Sequence, residues 1–349
     1  MLRRNSLQAI LLVFQLCLLP VGAEAAGRVF VDSAGRSVQL PEHVGRVLAA
    51  GPPASVLLYT LAPDKMVGWV REPSAAEKEY LAEPYRDLPA HGRLTGKGNT
   101  ANIEMVMAQK PDLIIDVGTI DATYASLADK VQEQTGIPYV LIDGTFAHTP
   151  QTLRTVGDLL GVTDRGEELA RYAENVMNDL NTKLAAIPQD KRPRVYYGRG
   201  PKGLETGLAG SINTEVLEAA GAVNVADTAG KGGLANVSVE QVLAWNPDVV
   251  LTLDSGFQAE VGKDPSWAGV NAVKNGRIYR APTLPFGWFD SPPGINRLIG
   301  VPWLTSVLYP GGTSPDLRAT TKTFYKLFYH VDLNDGQLDT LLAGASAKP

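Results

Sequence analysis

The sequence predicts an α/β chain of two similar lobes, each a parallel β-sheet flanked by helices, joined by one long α-helix. Three observations carry this expectation. A helix–turn–strand segment occurs twice, short apolar strands alternate with helical patterns on either side of the middle, and one unbroken helical pattern lies between them.

The duplicated segment reads NIEMVMAQKPDLIID at residues 102–116 and SVEQVLAWNPDVVLT at residues 238–252. The copies share Glu104/Glu240, Val106/Val242, Ala108/Ala244, Pro111/Pro247 and Asp112/Asp248. Each reads as a short amphipathic helix, a Pro-Asp turn and a buried strand. They start 136 residues apart, too far for a stacked repeat and suited to two matching lobes. Two such lobes enclose a cleft, the usual place for a ligand. One glutamate per lobe at matching places suggests a contact with a two-fold partner.

In the first lobe the expected strands are Val47–Ala50, Met66–Trp69, Leu113–Ile115 and Tyr139–Ile142. In the second they are Val195–Tyr197, Asn224–Ala226, Val249–Leu253 and Arg277–Tyr279. Alternation with helices favours parallel pairing. Between the lobes, Leu169, Tyr172, Val176, Leu180, Leu184 and Ile187 keep three- and four-residue spacing. Asp164 is the expected N-cap, Glu167 completes a capping box, and Pro188 ends the run. A rod of about 35 Å results at roughly 1.5 Å per residue, enough to join two lobes once. The expected division is 1–25 export signal, 26–163 N-terminal lobe, 164–188 linking helix and 189–349 C-terminal lobe.

The signal reading rests on Arg3 and Arg4, the apolar run Ala9–Val21 and an A-x-A site at Ala23–Ala25. The run is too short to span a membrane. Removing 25 of 349 residues leaves 324, more than a single core usually holds. The one cysteine, Cys17, lies inside the signal and lacks the small preceding residues of a lipid-anchor site. The exported chain is therefore expected to have no disulfide and no thiolate chemistry. A net charge of −5 without a basic run gives nucleic acid no electrostatic footprint.

These features resemble the periplasmic substrate-binding proteins that serve iron-chelate, vitamin B12 and related ABC importers. The resemblance is carried by the two E-x-x-x-A-x-x-P-D segments, the stretch GLAGSINTEVLEAAGAVNVA at 207–226 and the stretch PFGWFDSPPGINRLIGVPWL at 285–304. It implies the class III periplasmic-binding-protein fold and a monomeric carrier without a cofactor of its own. It also implies a partner, an ABC permease–ATPase complex in the inner membrane. In that family, glutamates placed as Glu104 and Glu240 dock onto permease arginines; the plainer reading of each is a helix-start residue. The implied cargo is a small metal chelate, with a ferric siderophore complex first and cobalamin, haem, a nickel chelate or molybdate/tungstate as alternatives.

A cleft at the carboxyl ends of the strands nominates several loops. Within them Trp69, Arg71, Tyr197, Arg199, Trp288 and Phe289 are the expected ligand-binding residues. Aromatic faces would wall a chelate and guanidinium groups would neutralise an anionic one. Asp290 could place a polar group at the cleft floor or pair with Arg297. Of four histidines, only His91 and His148 fall in candidate cleft loops, too few for a bare-metal site. The sequence GRLTGKGNT at 92–100 fails the phosphate-loop spacing, and neither G-x-S-x-G nor H-E-x-x-H occurs. A cleft enzyme is the disfavoured rival, because no nucleophile–base constellation is visible. A receptor-linked sensor subunit is a third reading.

Overall fold

The structure is a computed structural model that describes residues 27–96, 102–310 and 316–343. The expected signal segment with Cys17, and Lys97 to Thr100 of the glycine-rich stretch, lie outside the described residues.

The N-terminal half contains the hairpin β1 (Arg28–Val31) and β2 (Ser37–Leu40), then β3 (Val47–Ala49), α1 (Pro52–Leu61), α2 (Ala75–Lys78) and α3 (Ile103–Gln109). It continues through β4 (Leu113–Gly118), α4 (Ala122–Thr135), β5 (Tyr139–Asp143) and α5 (Thr149–Leu159). The strands β3, β4 and β5 form a parallel sheet in that order. Met66–Trp69 does not become a full strand; it makes single bridges, Met66 to Val47 and Trp69 to Ala90. Its next residues turn to build the cavity wall described below.

Then α6 (Thr163–Ala185) carries the chain to the second sheet. It starts one residue before the expected N-cap. Asp164 therefore lies in the first helical turn, where its charge favours the helix dipole. Glu167 forms no capping box. It pairs with Arg154 of α5 at 2.6 Å, and Arg154 also reaches Glu174 at 2.6 Å. The two helices meet at Gly157 and Gly166, where an added Cβ would fall within about 3 Å of the facing Cα. Only glycine allows that approach, which fixes α6 on the N-terminal half.

The second half comprises β6 (Arg194–Tyr197), β7 (Glu205–Gly207), α7 (Glu215–Ala219), β8 (Val223–Asn224), β9 (Leu234–Asn236) and α8 (Val239–Trp245). It continues with β10 (Val249–Thr252), α9 (Ser255–Glu260), α10 (Asn271–Lys274), β11 (Ile278–Arg280), α11 (Arg297–Leu308), α12 (Leu317–Tyr329) and α13 (Asp335–Leu342). Its parallel sheet has the order β11-β10-β6-β8, while β7 and β9 pair antiparallel beside it.

The duplication has a structural cause. Asn102 and Ser238 cap α3 and α8 through their side chains, and both helices end in a left-handed residue, Lys110 or Asn246. The aspartate after the proline then ties down the start of the neighbouring strand. The Asp112 N–H donates to Arg46 O and the Asp248 N–H to Arg194 O, both at 2.8 Å. In return, Asp112 Oδ2 accepts from the Arg46 N–H and Asp248 Oδ2 from the Arg194 N–H. Each Pro-Asp turn thus sets the entry of β3 or β6 into its sheet.

A continuous apolar core runs through both halves. Its aromatic centre is Phe324, Tyr325, Phe328 and Tyr329 of α12, with Phe324 and Phe328 stacked 4.3 Å apart. These C-terminal helices reach the N-terminal half: Tyr59 Oη donates to Tyr329 O at 2.5 Å, and Gln337 Nε2 to Glu79 O at 2.7 Å.

Candidate functional site

A cavity of about 690 Å³ lies between the two sheets, at the carboxyl ends of their strands. From the N-terminal half it is walled by the start of α1, the loop after Trp69, the loop around Thr95 and the end of β4. From the other half it is walled by the turn after β6, residues 212–213, and the stretch 285–293.

Three of the six expected ligand-binding residues line it: Trp69, Arg71 and Arg199. Trp69 is held edge-in by its indole N–H, which donates to Tyr85 O at 2.9 Å. Its ring meets Phe286 of the opposite half at 6.2 Å between centroids. Arg71 makes a two-pronged bridge to Glu77, with Nη1 to Oε2 at 2.8 Å. The Glu77 carboxylate is oriented by the capping box it forms with Ser74 at the start of α2. Burial alone would raise Glu77, but its bonds from Arg71 and Ser74 outweigh that and hold it below the usual range.

Arg199 is the most constrained cation on the wall. Its Nε donates to Asp290 Oδ2 at 2.8 Å and its Nη1 to Glu205 Oε2 at 2.5 Å. Asp290 is fully buried. It also accepts from Tyr197 Oη at 2.7 Å and Asn213 Nδ2 at 2.8 Å. Burial disfavours the charge on Arg199, yet its carboxylate partners keep it above the ordinary arginine value. The guanidinium also sits 5.9 Å from the centre of the Tyr197 ring, so it is clamped between the wall and the core behind it.

Tyr197, Trp288 and Phe289 are not on the cavity wall. Tyr197 lies behind it and supports Asp290. Trp288 is fully buried, with Nε1 3.2 Å from Tyr325 Oη. Phe289 stacks on Trp303, also in the core. The physical reason is the approach of α11: at Gly300 an added Cβ would collide with the Trp288 carbonyl at 2.1 Å. The helix presses on this segment and turns both rings inward, leaving Phe286 to face the cavity.

The alternative pairing of Asp290 with Arg297 also gives way. Arg297 is buried and bridges Glu215 instead. It donates further to Ile212 O at 3.1 Å and to Gly144 O at 2.5 Å. Glu215 Oε1 also accepts the Phe146 N–H at 2.6 Å. This cluster joins the two halves beside a second hollow of about 540 Å³, which shares Thr119, Ile120 and Ile212 with the main cavity.

The two histidines do not converge. His91 is buried, and burial lowers its pKa; His148 is mostly exposed, with Nδ1 2.5 Å from Asp143 Oδ2. Among the described residues no group of three or more His, Cys, Asp or Glu is arranged to hold a metal ion. Glu104 and Glu240 are exposed, one on α3 and one on α8. Glu240 is held below the usual range first by its own backbone N–H and then by Ser238.

Asp116 is a wall residue outside every nominated loop, while Phe286 lies in a nominated loop but was not among the expected ligand-binding residues. The signal for Asp116 was present: an aspartate near the carboxyl end of an otherwise apolar strand.

Residues 58–284 match the periplasmic binding protein family. The chain belongs to that family. Among curated relatives, the molybdate-binding protein MolA of Haemophilus influenzae is 26% identical over 332 residues, spanning 87% of this chain and 91% of the relative. Among solved structures, an ABC transporter solute binding protein from Sulfurospirillum deleyianum superposes with a TM-score of 0.82 at 30% identity, covering 90% of this chain and 99% of its own. The molybdate-bound structure of MolA gives 0.72 at 25% identity, covering 88% and 99%. The fold is thus that of class III periplasmic binding proteins, and the role in its coarse sense is that of an ABC transporter's binding protein.

Proposed function

We propose that this binding protein captures an anionic metal chelate in the cavity between its halves and delivers it, unchanged, to a permease–ATPase complex from the periplasm. The observation that carries the reading is Arg199. It is a guanidinium fixed by two carboxylates on the wall of a cavity of about 690 Å³. Such a volume suits a drug-sized ligand, and Trp69 and Phe286 supply flat apolar surface. A ferric siderophore-type complex is the form to test first. On this reading the lobes are 26–163 and 189–349, linked by 164–188, and 1–25 is removed on export.

A second reading, a bare oxyanion, is favoured by the similarity to molybdate-binding MolA along most of the chain. Native mass spectrometry against ferric siderophore complexes, haem, cobalamin, nickel–histidine, molybdate and tungstate separates the two. One intact chelate per chain supports the first reading. Retention of molybdate or tungstate alone replaces it with the second, and a chemically altered ligand points to an enzyme.

Docking rests on Glu104 and Glu240. They are exposed on the corresponding helices of the two copies, and Glu104 is flanked by exposed Met105 and Met107. Carboxylates so placed suit a cationic partner surface.

A further inference from the structure

Asp116 lies near the end of β4 and lines the cavity, yet only 5% of it is exposed. Its partners are two hydroxyls: Thr95 Oγ1 to Oδ1 at 3.0 Å and Tyr139 Oη to Oδ2 at 3.2 Å. No cation among the described residues bonds it. Arg199 and Arg71 are occupied by Asp290, Glu205 and Glu77. The close approach of Thr95 is built in, since a Cβ on Gly51 would lie 2.6 Å from Thr95 Oγ1. A buried carboxylate without a counter-charge is costly, and the group relieves that cost by holding its proton.

We propose that Asp116 is a specificity-determining residue that meets the cargo as a neutral acid and donates a hydrogen bond to one of its anionic oxygens. This rests on the anionic-cargo reading above. An ionised carboxylate here would repel such a cargo, whereas a carboxylic acid supplies a donor on the N-terminal wall at the end of β4. Two prolines, Pro52 and Pro53, remove backbone N–H groups from the nearby start of α1.

Burial raises the Asp116 pKa, and the bonds from Thr95, Tyr139 and the Val117 N–H only partly oppose it. The titratable groups around it are Tyr139 of β5 and Tyr124 of α4, both pushed up chiefly by burial, so neither changes charge near neutral pH. Arg36 donates to the Tyr139 carbonyl from behind, and Arg93 stands on the cavity wall. His91 shares the loop with Thr95 but packs beside Gly68.

The sign follows. A carboxyl raised in the folded state binds its proton more tightly there than in the unfolded chain. It lowers stability progressively as pH rises through the window between the two values. An anionic cargo strengthens proton binding further, so cargo affinity falls in the same direction.

The test compares wild type with Asp116→Asn, which keeps a donor and removes the titration. Without ligand, melting temperatures are followed from pH 4 to 8.5. The variant should gain on wild type as pH rises, and the difference should shrink toward acid pH. A difference that is flat, or that grows toward acid, overturns the proposal. With ligand, calorimetry uses molybdate and a ferric tris-catecholate complex from pH 6 to 9. Wild-type affinity for the bound probe should fall by about ten-fold per pH unit above the carboxyl's raised value, and the variant's profile should be flat. Should the variant not fold, the wild-type profile alone decides, and a pH-independent affinity overturns the proposal. Parallel profiles in both proteins overturn the Asp116 role and leave the cargo reading standing. No binding of either probe at any pH removes the cargo reading and the donor role together.

Discussion

Arg297 Nη2 donates to the carbonyl of Gly144 at 2.5 Å, joining residues 153 positions apart across the two halves. The same guanidinium holds Glu215, which in turn accepts the Phe146 N–H, and it lies 5.4 Å from the centre of the Phe146 ring. A buried cation that bonds Ile212, Glu215 and Gly294 in its own half and Gly144 in the other acts as a strut at the side of the cleft.

Arg297→Met should therefore destabilise the protein by about 3–5 kcal/mol, the usual effect of leaving a buried partner unpaired. Urea unfolding measures it. Adding Glu215→Gln should recover part of the loss, and a single-variant change under about 1 kcal/mol would remove the strut.

Trp288→Ala should act on folding and leave cargo binding alone. The ring is fully buried against Tyr325, so its removal opens a core cavity costing about 3–5 kcal/mol. Calorimetric titration at low temperature should give unchanged affinity. A selective loss of affinity with unchanged melting would put the indole back at the ligand.

Stability should decline as pH falls below about 6.5. His91 and His330 are both held below their ordinary value of 6.5, chiefly by burial. The unfolded chain then takes up protons that the folded chain refuses, so the stability present above 6.5 is lost as pH falls from there toward the folded values. His91→Leu should flatten the fall in melting temperature between pH 7.5 and 5.5. An unchanged slope would show that His91 takes no part in the acid loss of stability.

Charge reversal at Glu104 or Glu240 should leave folding and cargo affinity unchanged while cellular uptake drops, more so in the double variant. Like charges then face each other across the docking surface. Normal uptake by Glu104→Lys/Glu240→Lys cells would reduce both glutamates to helix-start residues.

Periodicity made the rod visible, because Leu169 to Leu184 keep one apolar face over many turns. The duplication made the two sheets visible, because Asp112 and Asp248 serve the same strand-entry bonds. The wall was less legible. Tryptophan and phenylalanine at 288 and 289 looked like ligand contacts, and nothing local says that Gly300 brings α11 against them. Asp116 was hidden for the converse reason: at the end of an apolar strand its burial and its hydroxyl partners, Thr95 and Tyr139, come from other segments. Helix and strand faces are local properties, whereas which ring points into a cavity is decided by packing between distant elements.

On this account the space between the sheets is the cargo site. Native mass spectrometry of wild type and Gly118→Trp tests it most directly. Gly118 lines the cavity, and a Cβ there meets no atom within 4 Å, so an indole would fill the space without disturbing the sheet. Wild type should carry one intact metal-containing anion per chain, and Gly118→Trp should carry none while melting normally. Equal loading of the two proteins would place the cargo elsewhere.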